Sequence, residues 1–166
     1  GSGGGDTLKC IAQWGRKNNY QFELTGVDLK EDCIQYATKQ CKNLKEISFV
    51  MDDYRNVEKG GQEYDIIITS LFCHHLSTNE LAELFGWGER QAKVGFIMND
   101  LHRHPLAYYS IAFLTKIFSK SYLVKNDAKL SVLRGFRKNE LLQLLQPLTF
   151  QLKWKWAFRW LIVIRK

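Results

Sequence analysis

Residues 64–70 read Tyr64-Asp65-Ile66-Ile67-Ile68-Thr69-Ser70, an unbroken apolar centre without alternation. A strand of that kind suits a central place covered on both faces, which is the habit of parallel sheets. Working outward, Phe22 to Asp28 (FELTGVD), Ile47 to Met51 (ISFVM) and Val94 to Met98 (VGFIM) read as further short strands. Helical patterns separate them. Leu8, Ile11, Ala12 and Trp14 recur at helical spacing from Thr7, with Asp6 or Thr7 as cap and Gly15 and Asn18-Asn19 as the stop. Asp32 to Cys41 and Thr78 to Gln91 are helical, the latter with Ser77 and Glu80 spaced as a capping box. Pro105 opens a helix to about Phe118. Strand–helix alternation implies right-handed crossovers and a parallel sheet with helices on both faces, an α/β fold.

The rest of the chain is read with weaker signals. Gly60-Gly61 marks a turn, and Ser119 to Gly135 is the least periodic stretch. Asn139 to Gln146 is a short helix ended before Pro147. Thr149 to Trp154 and Phe158 to Arg165 are separated by few residues and pair as an antiparallel hairpin. No repeat or linker divides the sequence, so residues 1–166 are expected to be one domain. A glycine-rich loop that opens a helix is normally fed by a strand, and none precedes Gly1. The expected sheet therefore lacks its first strand, unless GSGGG is an artificial linker.

Composition narrows the function classes. At 166 residues, 45% hydrophobic and 25% charged, the chain suits one globular domain rather than a disordered or low-complexity one. No apolar run reaches the roughly 18 residues of a membrane span. Residues 1–115 hold 12 basic and 15 acidic side chains, and residues 116–166 hold 12 and 2. That basic third is either a solvated face or a surface for RNA or an anionic membrane. Cys10, Cys33, Cys41 and Cys73 show no C-x-x-C spacing and read as reduced thiols in a cytoplasmic protein, Cys33, Cys41 and Cys73 serving packing. Cys73-His74-His75 is too contiguous to converge on a metal, and none is expected.

The chemistry concentrates in loops. G-x-G-x-x-G fails, because Asp6 stands at the third glycine, but G-x-G-x-G fits Gly1, Gly3 and Gly5. Glycine admits close approach of a ligand, and the following helix offers free N–H groups to an anion. Asp28 ends a strand 23 residues after Gly5 and can accept from both hydroxyls of a ribose. Asp53, beside Asp52, ends the next strand and can accept from an adenine amine, with Tyr54 beside the ring. Ser70 ends the third, so three successive strand ends are expected at one crevice. All four histidines follow strands: His74 and His75 after the third, His102 and His104 after the fourth. His is suited to proton transfer near neutral pH, and position favours His75 over His74. Arg103 can take an anion or face solvent. The aromatic stretch from Leu106 through Tyr108, Tyr109 and Phe113 to Tyr122 either packs on the sheet or covers an apolar substrate. Trp154, Trp156, Phe158 and Trp160 read as hairpin packing.

GSGGGDTL, LTGVDL, FVMDDYRN and YDIIITSLFCHHL together resemble the class I S-adenosylmethionine-dependent methyltransferases, in the flavour of the ubiquinone/menaquinone-biosynthesis group. The resemblance implies a Rossmann-like, doubly wound sheet, mostly parallel, whose last strand is the antiparallel strand of the C-terminal hairpin. It implies S-adenosyl-L-methionine as cofactor. Gly1, Ser2, Gly3 and Gly5 would lie near its methionine part, Asp28 and Leu29 at the ribose, Asp52, Asp53 and Tyr54 at adenine, and Ser70 and Leu71 near the methionine end. His75 and His74 would be catalytic, with His102, His104 and Tyr108 at a small-molecule substrate that is largely apolar or aromatic. Methyl transfer to oxygen or carbon is then the expected reaction, against a nicotinamide-dependent oxidoreductase or an RNA- or membrane-binding module.

Overall fold

A computed structural model describes residues 1–57, 63–146 and 148–166. The chain forms two compact units, Gly1–Gln62 and Glu63–Lys166. The expected Gly60-Gly61 turn and the Pro147 helix stop lie outside the described residues.

In the first unit, α1 (Asp6–Lys17) starts one residue before the periodic pattern, with Gly5 rather than Asp6 or Thr7 as its cap. Asp6 in the first turn and Arg16 and Lys17 in the last match the helix dipole. Gly15 does not stop the helix. It is buried within it, because a Cβ there would lie 2.6 Å from the ring of Phe22. Strands β1 (Leu24–Asp28) and β2 (Ile47–Met51) are parallel, in register from Leu24↔Ile47 to Asp28↔Met51. Their crossover is α2 (Glu31–Cys41), which buries Ala37 and Cys41. A one-turn helix, α3 (Tyr54–Val57), follows the acids that end β2.

The second unit holds a four-stranded mixed sheet in the order β3-β4-β6-β5. Strand β3 (Tyr64–Ser70) runs parallel to β4 (Ala92–Leu101), and the hairpin β5 (Phe150–Lys155) and β6 (Arg159–Arg165) adds β6 antiparallel to β4. The expected antiparallel hairpin is therefore present. Three readings change. Within this sheet β3 is an edge strand, and Ile66 and Ile68 are 51% and 42% exposed. An apolar run records what side chains can bury, not how many neighbours the backbone has. Strand β4 runs on through Asp100 to Leu101, because β6 pairs with it as far as Leu101↔Arg159. The aperiodic stretch is a helix, α6 (Tyr122–Arg134), capped by Ser121, whose hydroxyl accepts from Val124 N–H. It follows α5 (Pro105–Phe118), which has Pro at its first position as expected.

The core of this unit joins α4 (Thr78–Gln91), α7 (Lys138–Leu145) and the sheet through Leu81, Phe85, Leu141, Phe96, Met98, Ile162 and Ile164. The expected capping box starts α4: Ser77 Oγ accepts from Glu80 N–H and the Glu80 carboxylate accepts from Ser77 N–H. Phe85 and Phe96 meet edge to face at 5.7 Å. Gly88 makes room for this pair, since a Cβ there would lie 2.2 Å from Phe96. Gly88→Ala should destabilise the protein by about 1–3 kcal/mol through overpacking, despite the better helix propensity of Ala. Gly86→Ala meets only the flexible tip of Arg90 at 3.2 Å and should be neutral or stabilising. Thermal unfolding of the two variants checks this; equal midpoints would refute it. No helix of the described residues is long and apolar enough to cross a membrane.

Candidate active site

The first unit gathers the glycine loop and the strand-end acids. Gly3 and Gly5 have φ of 51° and 80°, where side chains are disfavoured. A Cβ on Gly5 would also sit 2.8 Å from Phe49, while one on Gly3 would meet nothing within 4 Å, so the loop is open at Gly3. Ser2 N–H donates to Val27 C=O at 2.8 Å, and Gly3 N–H donates to Asp28 Oδ2 at 2.8 Å. Ser2 Oγ is buried with no hydrogen-bond partner among the described residues. Asp28 Oδ1 accepts from Lys30 N–H at 3.0 Å. Burial by itself would raise the Asp28 carboxyl. The N–H groups of Lys30 and Gly3, with nearby positive charge, outweigh it and hold the group below the usual carboxylate range. A carboxylate has about four acceptor sites. Two remain at Asp28, enough for a ribose diol.

The next acids are more occupied. Asp52 Oδ1 accepts from Asp53 N–H and Asn56 Nδ2 at 2.7 and 2.8 Å, which ties the turn into α3. Asp53 takes Arg55 N–H and Nε on Oδ1 and Nη2 on Oδ2. The Arg55 hydrogen bonds hold its carboxyl below the ordinary value against burial. One acceptor site is left at Asp53, the number an adenine amine needs. Tyr54 lies under the Arg55 guanidinium at 5.7 Å, and Leu29 is exposed. These residues fit the cofactor that the motifs imply.

The second unit carries the histidines. Ser70 Oγ ends β3 and accepts from Asn99 Nδ2 at 3.2 Å. Leu71 turns the chain with φ of 55° and donates its N–H to Asn99 C=O. Phe72 and Cys73 then donate their N–H groups to Asp100 Oδ2, at 3.1 and 2.7 Å. His74 Nδ1 lies 2.7 Å from Asp100 Oδ1, and its ring contacts His75 at 4.1 Å. His74 is buried and His75 exposed. Partial desolvation of the ring, then His74 and Arg134, lower the His75 imidazole below its ordinary 6.5 against Asp127 and Asp100. Cys73 is no nucleophile: burial first, and Asp100 next, push its thiol up to about 12.

The other two histidines join the C-terminal hairpin. His102 Nδ1 accepts from Trp154 Nε1 at 3.2 Å, and its ring lies 4.8 Å from Trp160. Burial, then His104, lower its imidazole. His104 caps α5 by accepting Leu106 N–H on Nδ1, and it stacks on Phe158 at 5.3 Å. With Nδ1 accepting in both, Nε2 is left to donate. Tyr108 is half-buried, edge to face with Tyr109. Arg103 is engaged by Glu140. Of the hairpin aromatics, Trp160 is packed and donates to Phe136 C=O, whereas Trp156 is 88% exposed.

Asp100 is the residue the sequence reading passed over. The signal was there, an acid closing an apolar strand, the same that singled out Asp28 and Asp53.

Solved structures that share this architecture include methyltransferases. No curated protein matches the chain at significant sequence similarity. Among solved structures, the plantazolicin methyltransferase BpumL in complex with SAH aligns over 100% of this chain and 74% of its own, at 18% identity and TM-score 0.74. A SAM dependent methyltransferase from Aquifex aeolicus aligns over 99% and 78%, at 14% identity and TM-score 0.64. The pyocyanin biosynthetic protein PhzM aligns over 100% and 48%, at 17% identity and TM-score 0.64. Identities this low speak for the fold alone, a Rossmann-like α/β arrangement. The family is decided by the sequence of residues 1–95, from the glycine loop to β4, which matches the methyltransferase domain model. With more than half its length in that match, the chain belongs to the methyltransferase-domain family.

Proposed function

We propose that this methyltransferase, with S-adenosylmethionine as methyl donor, methylates oxygen or carbon of a small, largely apolar or aromatic molecule. S-adenosylmethionine supplies a methyl group made electrophilic by its sulfonium sulfur. The chain's task is to hold the donor and to bring a nucleophile in line with it. Gly1, Ser2, Gly3 and Gly5 take the methionine part, Asp28 with Leu29 the ribose, Asp52, Asp53 and Tyr54 the adenine. Ser70 and Leu71 are assigned to the methionine end. The free acceptor sites of Asp28 and the open backbone at Gly3 support this assignment.

The acceptor class rests chiefly on α5. That helix is apolar around its circumference, and Tyr109, Phe113 and Phe118 are 69%, 63% and 80% exposed. Its first turn is capped by His104, near His102 and Tyr108, which present polar groups to a substrate lying on that surface. A base comes from the His74–His75 pair. The motifs FVMDDYRN and YDIIITSLFCHHL support a relation to the ubiquinone/menaquinone-biosynthesis group. The match over residues 1–95 crosses from one compact unit into the next, which supports one S-adenosylmethionine-binding domain over residues 1–166. Four free thiols support a cytoplasmic home.

Calorimetry with S-adenosylhomocysteine, followed by labelled-methyl transfer to a panel of phenols and apolar heteroaromatics, tests the reading. Binding and labelling of an aromatic acceptor are expected. Absence of cofactor binding, with steeply salt-dependent binding to RNA or anionic vesicles, would favour a binding module built on the basic C-terminal third.

A further inference from the structure

Asp100 has no exposed surface, and the two oxygens of its carboxylate have separate partners. Oδ2 accepts the N–H groups of Phe72 and Cys73, so it holds the turn that leaves β3. Oδ1 accepts Leu101 N–H at 2.7 Å and faces His74 Nδ1 at 2.7 Å. An acceptor already bonded to one N–H is best served by another donor, so Nδ1 carries the hydrogen. The Nε2 lone pair of His74 is then available. His102 and His104 have the reverse arrangement, with Nδ1 accepting and Nε2 donating. A buried carboxylate is costly to desolvate, and backbone N–H donors alone need no charge to be satisfied.

We infer that Asp100 is a positioning residue for methyl transfer: one oxygen fixes the turn after β3, and the other fixes His74 in the tautomer that can take a proton on Nε2. This rests on the methyltransferase reading. With a hydroxyl acceptor, the O–H proton passes to His74 Nε2 while the oxygen lone pair forms the O–C bond to the methyl group. The electron pair of the methyl–sulfur bond stays on sulfur, and S-adenosylhomocysteine is released. Asp100 then faces an imidazolium, whose charge it offsets.

Asp100→Asn separates the two duties. Its amide oxygen can replace Oδ2 and keep both hydrogen bonds of the turn, while its NH₂, in place of Oδ1, gives up the bond from Leu101 N–H, faces His74 and drives the hydrogen from Nδ1 to Nε2. The test is imidazole nitrogen NMR on the full chain labelled in histidine, with His74→Gln used to assign the resonance. In the unsubstituted protein the Nδ1-protonated tautomer is expected, and in Asp100→Asn the Nε2-protonated one. S-adenosylhomocysteine affinity should change by less than about threefold, because the two hydrogen bonds that hold the turn are kept. A second comparison separates positioning from mere support. S-adenosylmethionine and S-adenosylhomocysteine differ by one methyl group and one charge at sulfur, so the His74 Nε2 resonance should differ between the two complexes. An Nε2-protonated His74 in the unsubstituted protein, an unchanged tautomer in Asp100→Asn, or identical Nε2 resonances in both complexes would each overturn the inference. Failure to bind either nucleoside would overturn the methyltransferase reading instead, and the tautomers would still decide what Asp100 does to His74.

Discussion

Replacing His74 by Ala slows single-turnover methyl transfer by about 10²–10⁴-fold, the usual contribution of a general base, while affinity for S-adenosylhomocysteine holds. The expectation comes from the hydrogen-bond directions around three of the four imidazoles. His74 has its Nδ1 against Asp100, which leaves an acceptor nitrogen. His102 and His104 have Nδ1 occupied by donors from Trp154 and Leu106, so they can orient an acceptor molecule but not deprotonate it without rearranging. Ala at either should cost about 2–13-fold, the value of one ordinary hydrogen bond. His75 contacts the His74 ring, and partial desolvation lowers its imidazole, so its loss falls between these limits. Single-turnover rates for the four Ala variants, with an acceptor found in the panel, decide the order. A larger loss at His75 than at His74 would return the role to the residue that loop position alone favours. A dominant loss at His102 or His104 would move it to the loop after β4.

Asp28→Ala weakens binding of S-adenosylhomocysteine by roughly 10–150-fold, from about 1.5–3 kcal/mol for a hydrogen bond to a charged group. The carboxylate does two things that Ala cannot. It accepts from Gly3 N–H, which holds the open glycine loop on β1, and it keeps two acceptor sites for a diol. Asp28→Asn keeps the shape and one acceptor oxygen and should lose less. Because backbone N–H groups hold this carboxyl below the usual range, it stays ionised as the medium is acidified, and affinity should be flat down to about pH 5. Calorimetry measures all three effects. Equal affinity for the Ala variant would remove Asp28 from the ribose.

Much of the local structure was legible because the signals are local. Ser77 with Glu80 predicts a helix start by reciprocal hydrogen bonds within four residues, and the structure has it. Pro105 predicts a first turn from its fixed φ. Neighbouring strands with a short connection predict the β5–β6 hairpin. Where the pattern was weak, the reading failed for the same reason. Helix α6 has no apolar stripe, so nothing in its periodicity announced it; the Ser121 cap and its packing with α5, β4 and the turn after β3 reveal it.

The sequence by itself determined most of the succession of strands and helices, the glycine loop and the carboxylates that close β1 and β2. Those follow from hydrophobic period, capping and backbone freedom, all settled within a few residues. Tertiary structure alone decided which distant groups meet. That β6 enters between β4 and β5, and that β3 stands at its sheet's edge, depend on pairing across scores of residues, where no local pattern distinguishes one neighbour from another. The same holds for the site. His74 and Asp100 are 26 residues apart, and the Ser70↔Asn99 register of two parallel strands brings them to 2.7 Å. Position in a loop favoured His75; only the tertiary structure sets a buried carboxylate of the next strand against His74, and a tautomer is set by what faces the ring.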